Sequence, residues 1–349
     1  NYAAVPNASD SGIYGKMYNL ITSGQLANTE AARNAYLREA EFRNTDWFDL
    51  LFSNALSQNH SVSLSSGTDK SQYYASISAM LDPGWAKQSS VNRYTANLNA
   101  NYNIFKKLSF NMIANASYRK QKAPGTLASG TDVVRGEVTR DFDINPYSYA
   151  LNTSRVLDPN EFYKRNYTDF NIMHELDNNY MDFDVVDLKF QGEFKLKPIE
   201  GLEFSALGSV KYSSTAQQHT ITDYSNQAMA YRAMPTTTIR DNNPFLYTDP
   251  DNPYAVPVTV LPDGGIYERT DFSMLSYDFR ATGQYNKEFN GGHIMNVFAG
   301  MELNQVQRRQ TWFRGWGLQY SMGEIPRYAY EVFKKGAEEN TQYYSMLNA

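Results

Sequence analysis

The chain has 349 residues, a formal charge of −5 and a mean hydropathy of −0.57. Without cysteine it can form neither a disulfide framework nor a thiolate metal site, and no apolar run reaches the roughly 18 residues of a transmembrane helix. The acidic balance argues against a nucleic-acid partner, which calls for a basic face, while 27 Tyr and 19 Phe suit an aromatic-girdled membrane barrel or a tyrosine-rich binding surface.

Residues 1–56 contain no alternating run. Ala31 to Phe42 is predicted helical, with Asn28 or Thr29 as N-cap, and Asp46 to Phe52 is a second helical turn capped by Thr45 or Asp46. The start, Asn1-Tyr2-Ala3-Ala4-Val5, lacks Met, a basic n-region and an apolar h-region. An exported protein with that start has lost a leader or is a piece of something longer, and the second is the expectation here.

Eight strands follow. The first covers about Gln58 to Ser66. The second, Gln72 to Leu81, sets Tyr73, Ala75, Ile77 and Ala79 against Tyr74, Ser76 and Ser78. The third and fourth alternate most cleanly. Tyr94, Ala96, Leu98, Ala100, Tyr102 and Ile104 share one face, with Arg93, Thr95, Asn97, Asn99, Asn101 and Asn103 opposite. After Phe105-Lys106-Lys107 come Leu108, Phe110, Met112, Ala114, Ala116 and Tyr118, opposite Ser109, Asn111, Asn115, Ser117 and Arg119. The fifth places Val186, Leu188, Phe190, Phe194 and Leu196 on one face, and the sixth Leu202, Phe204, Ala206, Val210 and Tyr212. The seventh uses Tyr277, Phe279, Ala281 and Tyr285, and the eighth Met295, Val297, Ala299, Met301 and Leu303. Period two is the signature of a strand. These runs are about twice the usual 5–6 residues and match the roughly 9–11 of a tilted membrane-crossing strand.

The connections strengthen this. Gly67 to Lys70, Phe105 to Lys107, Lys197 to Gly201 and Asn286 to Gly292 are short; Asp82 to Ser90, Lys120 to Met181 and Ser213 to Glu268 are longer. Short and long alternate, so one end of the sheet has tight turns and the other large loops, as in outer-membrane barrels. The predicted class is all-β, a transmembrane antiparallel β-barrel. Residues 1–56 are expected as an external loop with short helices, 57–304 as barrel strands and loops, and 305–349 as the start of another external loop. Lipid would face Tyr94, Ala96, Leu98, Ala100, Phe110, Met112, Leu188, Phe190, Phe204, Phe279 and Val297.

Several segments together carry a family resemblance. They are Asn44-Thr45-Asp46-Trp47, then Gln58-Asn59-His60 leading to Gly67, then Lys70-Ser71-Gln72-Tyr73-Tyr74, Asp82-Pro83-Gly84 and Arg93-Tyr94 with its Asn-rich strand. As a set they resemble the early barrel of SusC/RagA-type TonB-dependent outer-membrane transporters, strongly over about Asn44 to Tyr118 and by architecture elsewhere. The resemblance implies a 22-stranded barrel with an internal plug and a SusD-like lipoprotein lid. It implies import of glycans or peptides across the outer membrane of a Gram-negative bacterium, driven through TonB. No plug or TonB-contacting segment is recognisable, so the chain is expected to be an early-barrel fragment.

Catalytic signatures are missing. His60, His174, His219 and His293 lack metal-ligand spacing, and no P-loop, GxSxG or HExxH occurs. No enzymatic activity and no cofactor are expected. Asp177, Asp182, Asp184 and Asp187 could hold Ca²⁺, although a solvated loop leading into a lumen-facing Asp187 is the preferred reading. Asp249-Pro250-Asp251-Asn252-Pro253 is expected to be a rigid turn. Trp312, Phe313 and Trp316, with Tyr147, Tyr149, Tyr163 and Tyr167, are candidate loop aromatics for contact with substrate or lid. A soluble or surface-attached polysaccharide-binding β protein and an outer-membrane barrel enzyme are the competing readings.

Overall fold

The structure is a computed structural model that describes residues 12–125, 129–132, 137–140, 144–252, 254–323, 330–334 and 342–346. It begins with helices α1 (Gly12–Thr22), α2 (Glu30–Phe42) and α3 (Trp47–Leu51). Strands β1 (Gln58–Gly67), β2 (Ser71–Asp82), β3 (Ser90–Phe105) and β4 (Leu108–Pro124) follow. A long connection holds β5 (Ser129–Asp132), β6 (Glu137–Arg140), α4 (Pro146–Asn152), β7 (Tyr163–Arg165), β8 (Thr168–Phe170) and α5 (Ile172–Asn178). Then come β9 (Asn179–Leu196), β10 (Leu202–Ile221), α6 (Asn226–Ala230), α7 (Thr237–Asn242), β11 (Gly265–Phe289) and β12 (His293–Leu318). Two short strands, β13 (Tyr330–Lys334) and β14 (Gln342–Met346), complete the order.

Ten strands make one antiparallel sheet in the order β1-β2-β3-β4-β9-β10-β11-β12-β13-β14. Each of the eight expected strands is present and pairs with its expected neighbours. Among the described residues, β1 bonds only to β2 and β14 only to β13. What is described is therefore a sheet with two open edges rather than a closed barrel.

The helix caps follow from sequence. The Thr29 hydroxyl accepts from the Ala32 amide, and the Asp46 carboxylate accepts from Phe48 and Asp49, satisfying amides that a helix start leaves bare. Helix α1 was not expected.

Strands β9 to β12 are longer than their alternation suggested, at 18, 20, 25 and 26 residues. Nearly all of the extra length lies at the long-loop end. Residues 305–318 are strand, where a loop was expected, and Trp312, Phe313 and Trp316 stand on β12. The acidic stretch is also strand from Asn179 on, so Asp182 and Asp184 do not belong to a solvated loop, while Asp187 stands on the polar face of β9. Beyond the alternating segments the apolar side chains change face, with Met181, Phe183 and Val185 opposite Asp182 and Asp184 on β9, so the pattern that marked the apolar face stops while the ladder continues.

The dry cores lie in the connections and in the strand ends beneath them, not in the body of the sheet. One unites Trp47, Leu51, Ile144, Ala150, Phe170, Ile172 and Leu176. A second joins Ile221, Ala228, Leu261 and Ile266. These cores form a loop head over the long-loop end. Most of the sheet is uncovered, and the accessible surface of 22350 Å² exceeds the ~14,000 Å² expected of a compact protein of 39.7 kDa.

Trp47 ties the head together: its ring is 5.2 Å from Tyr149 at 90°, and its indole N–H donates to the Ser154 carbonyl at 3.1 Å. Trp47→Ala should destabilise the head by about 3–5 kcal/mol. Hydrogen exchange would then show faster exchange in α3, α4 and α5 while β2 to β4 stay protected. Uniform loss across head and sheet would show that the two unfold as one unit.

Candidate functional site: a two-faced wall and its loop head

The register sorts the sheet into an apolar and a polar face. Leu64, Ala75, Leu98, Ala114, Phe190, Val210 and Tyr277 lie in one row across seven strands. The next row is Tyr73, Ala100, Met112, Gly192, Gly208, Phe279 and Leu303. Tyr102, Phe110, Phe194, Ala206, Ala281 and Met301 follow, with Phe110 and Phe194 rings 4.6 Å apart. Tyr94 and Ala96 extend the face on β3, Leu188 on β9, Phe204 on β10 and Val297 on β12. All eleven residues expected on one side therefore share one face. Leu188, Phe190, Phe204, Phe279 and Val297 are each exposed by 41–52%. A sheet face this apolar and this bare needs a non-aqueous neighbour.

The apolar band has two ends. On β4 it runs from Leu108 to Tyr118. Ten residue steps of ~3.3 Å tilted by ~45° span ~23 Å, near the ~25 Å apolar band of outer-membrane barrels. At the long-loop end Tyr94 stacks on Tyr118 with centroids 6.5 Å apart, and the Tyr118 hydroxyl donates to Asp184 at 2.7 Å. Lys120, Lys122, Asp182 and Asp184 then share this face, and the Lys122 ammonium sits 4.2 Å from the Tyr180 ring centroid. At the short-turn end stand Lys106 and Lys107, and Lys197 pairs with Glu203 at 3.0 Å. Gly201 makes one tight turn at φ +83°, where a Cβ would overlap the Asn286 carbonyl.

The polar face is laced by side-chain hydrogen bonds. Asn97 donates to Ser76 at 3.3 Å, Ser78 and Thr95 hydroxyls meet at 2.5 Å, and Ser213 donates to Asp187 at 2.6 Å. Ser209 donates to Asp278 at 3.0 Å, and Arg280 pairs with Glu302 at 3.1 Å. Such groups are costly in a dry core and cheap against water.

A buried polar hub fixes the head to the sheet. Asn179, at the start of β9, donates to Glu175 at 3.2 Å and to Gln227 at 2.9 Å. Its carbonyl oxygen is 2.7 Å from His219 Nε2, which must then carry the proton. Glu175 accepts from the Asn226 amide at 2.6 Å, and Asn226 donates to the Arg165 and Asp169 carbonyls. Gly125 closes the site: a Cβ there would overlap Asn179 Oδ1 and lie 2.6 Å from His219 Nε2. Burial pushes His219 down to about 4 and, opposed by its hydrogen bonds, raises Glu175 above the usual carboxylate value. No local sequence pattern marks this hub, because its members come from four separate segments.

The expected loop aromatics are dispersed. Tyr149 lies against Trp47 and Phe170, Tyr163 accepts from the Asp158 amide at 2.8 Å, and Tyr167 donates to the Asn242 carbonyl at 2.9 Å. Trp316 packs edge-on against Tyr231 at 5.2 Å, and Phe313 packs beside Tyr267 and Leu318. Tyr147 and Trp312 are the most exposed of the seven, at 49% and 59%. Tyr147 joins Phe48, Phe52 and Trp85 in one cluster, whereas Trp312 shares the Arg314 guanidinium with Trp316 on β12.

The four histidines are far apart in role, with His60 beside Gln58 on β1 and His174 against Phe162. The acidic stretch is split: Asp177 accepts from Gln88, Asp184 from Tyr118 on the apolar-face side and Asp187 from Ser213 on the polar side. Among the described residues no group of three or more His, Asp or Glu could hold a metal ion. Asp249 caps its own turn by accepting from the Asp251 amide at 3.0 Å.

The sequence matches no protein-family profile, and no curated protein matches it. Solved structures do share the fold. A chain of the RagAB peptide transporter matches with a TM-score of 0.57 and 17% identity, over 88% of this chain and 31% of that one. The RagAB peptide importer matches in its closed-closed state with a TM-score of 0.58 and 15% identity, over 96% of this chain and 34% of that one. Its open-open state gives 0.58 and 14%, over 98% and 36%. The chain thus spans about a third of the length of these solved chains, and at such identity the likeness is one of fold.

The hub sets a pH dependence. His219 has a folded value of about 4 against 6.5 when free, so the unfolded state binds the extra proton between these values. Its contribution is complete above pH 6.5 and is lost as pH falls toward 4. Glu175 works oppositely, since its raised value favours the folded head at low pH. Comparing wild type with His219→Gln by hydrogen exchange of β9 and α6 isolates the histidine. The difference should reach about 2–4 kcal/mol between pH 6.5 and 4. Parallel pH profiles would show that His219 is not buried neutral.

Proposed function

We propose that this chain forms part of the wall and the outer loop head of a TonB-dependent importer in the outer membrane of a Gram-negative bacterium. The bounded apolar band on one sheet face, backed by a hydrogen-bonded polar face, carries this reading. Lipid would cover the band and water would fill the space behind it. The long connections, gathered at one end, would receive cargo and dock a SusD-like lipoprotein lid. Energy coupling through a plug and TonB would lie outside this chain, which performs no chemistry of its own. The cargo is a nutrient oligomer, peptide or glycan. The RagAB structures are described as peptide transporters, which makes peptides the first class to test.

Two experiments test the reading. In the full-length protein, Leu98→Arg should block assembly into the outer membrane, because a lipid-facing Arg near the midplane costs about 2–4 kcal/mol. Asn97→Arg, one residue away on the polar face, should assemble. Equal assembly of both, measured by heat-modifiable migration of membrane fractions, would reject the assigned facing. Deletion of the gene should also abolish uptake of labelled oligopeptides or of defined glycans, and restored expression should return it. Unchanged uptake of both classes, or a full-length protein that stays soluble without detergent, would favour a surface polysaccharide-binding protein.

A further inference from the structure

The polar face carries one arrangement that its stability does not call for. Arg93 on β3 and Arg119 on β4 are direct cross-strand partners. Their Cα atoms are thus about 4.5–5.5 Å apart. Both project opposite to the stacked Tyr94–Tyr118 pair and so line the polar face, level with the long-loop edge of the apolar band. Like charges set directly opposite one another destabilise a sheet.

Elsewhere on this face opposite charges meet, as in Arg280 with Glu302 at 3.1 Å and Lys195 with Glu193 at 3.4 Å. Among the described residues, Arg93 and Arg119 have neither an acidic partner nor a hydrogen bond. The Nε atom of Arg119 is buried and unpartnered, alone in this among the described side chains. Asp187, two positions along β9 from the Val185 that pairs with Arg119, is engaged by Ser213 at 2.6 Å. Met80 and Val185 flank the two arginines in the same row, which lowers the local dielectric. Lys189 and Lys211 are also opposite one another, but both are exposed on flexible stems with no buried atom left bare.

We infer that Arg93 and Arg119 form a binding site for a carboxylate of the incoming oligomer. A guanidinium presents a planar fork that matches a carboxylate with two hydrogen bonds. A carboxylate held between two forks turns their mutual repulsion into attraction and satisfies the bare Nε. The importer reading supplies the source of that carboxylate. An acidic peptide and a uronic-acid glycan present the same group.

The test uses the full-length protein purified in detergent. Four probes are compared by calorimetry: a glutamate-containing tetrapeptide, its glutamine counterpart, a trigalacturonate and its methyl ester. One acidic probe should bind at least about tenfold tighter than its neutral counterpart. That preference should fall to about twofold or less in Arg93→Gln/Arg119→Gln, and should weaken with salt. The acidic probe that is preferred identifies the source. The double variant should unfold at a temperature no lower than wild type, since it removes a repulsion. This keeps loss of binding distinct from loss of folding. No acidic preference in wild type, or a preference that survives in the double variant, overturns the site. Uptake of the neutral probes by cells with the wild-type protein tests the importer reading separately.

Discussion

One constraint governs this molecule: its sheet is covered by protein on neither face over most of its length. Main-chain hydrogen bonds are satisfied within the ladder, so the backbone tolerates either solvent. Side chains do not, and each face must match what it touches. The rows through Leu98, Phe190 and Phe279 match hydrocarbon, and those through Asn97, Asp187 and Asp278 match water. A one-residue slip would exchange the two faces of a strand, so register is strongly specified. Cross-strand bonds such as Ser213 to Asp187 fix it further on the polar side.

That constraint explains where the packed cores are. A sheet whose middle is covered by protein on neither face has no interior to contribute there, so burial moves to the connections and the strand ends beneath them. Trp47, Leu51 and Leu176 bury in one core of the head, and Ile221, Leu261 and Ile266 in another. The Glu175–Asn179–His219–Gln227 hub then anchors α5 and α6 to the ends of β9 and β10. Each hydrogen-bonding group of the Asn179 side chain is used, which orients the hub uniquely. Polar contacts thereby position the head, and apolar contacts consolidate it.

The extended strands join the two parts. β11 and β12 continue well past Leu275 and Leu303, where the apolar band ends, and carry Arg314 and Trp316 up to the head. Arg314 pairs with Glu268 across this hairpin and lies against Trp312 and Trp316. Of the seven aromatic residues singled out from the sequence, two keep the most free surface. Tyr147 and Trp312 offer it, while Tyr149 and Trp316 serve the cores.

Strand number, pairing order and the division of residues between two faces were legible from residue order, because a strand with one apolar and one polar face writes its geometry as period-two alternation. The caps at Thr29 and Asp46 were legible for a similar reason: each is a local exchange between a side chain and the next turn's amides. The extent of β9 to β12 was not, since beyond the apolar band the apolar residues no longer keep to one face, as Met181, Phe183 and Val185 show on β9. Nor was the placement of Tyr149 and Trp316 in cores, or the convergence of Gly125, Glu175, Asn179, His219 and Gln227, because contacts across 40 or more residues leave no local pattern. The facing of Arg93 and Arg119 followed from alternation alone. That they stand directly opposite each other, with a buried Nε left bare, was decided only when register set one strand against the next.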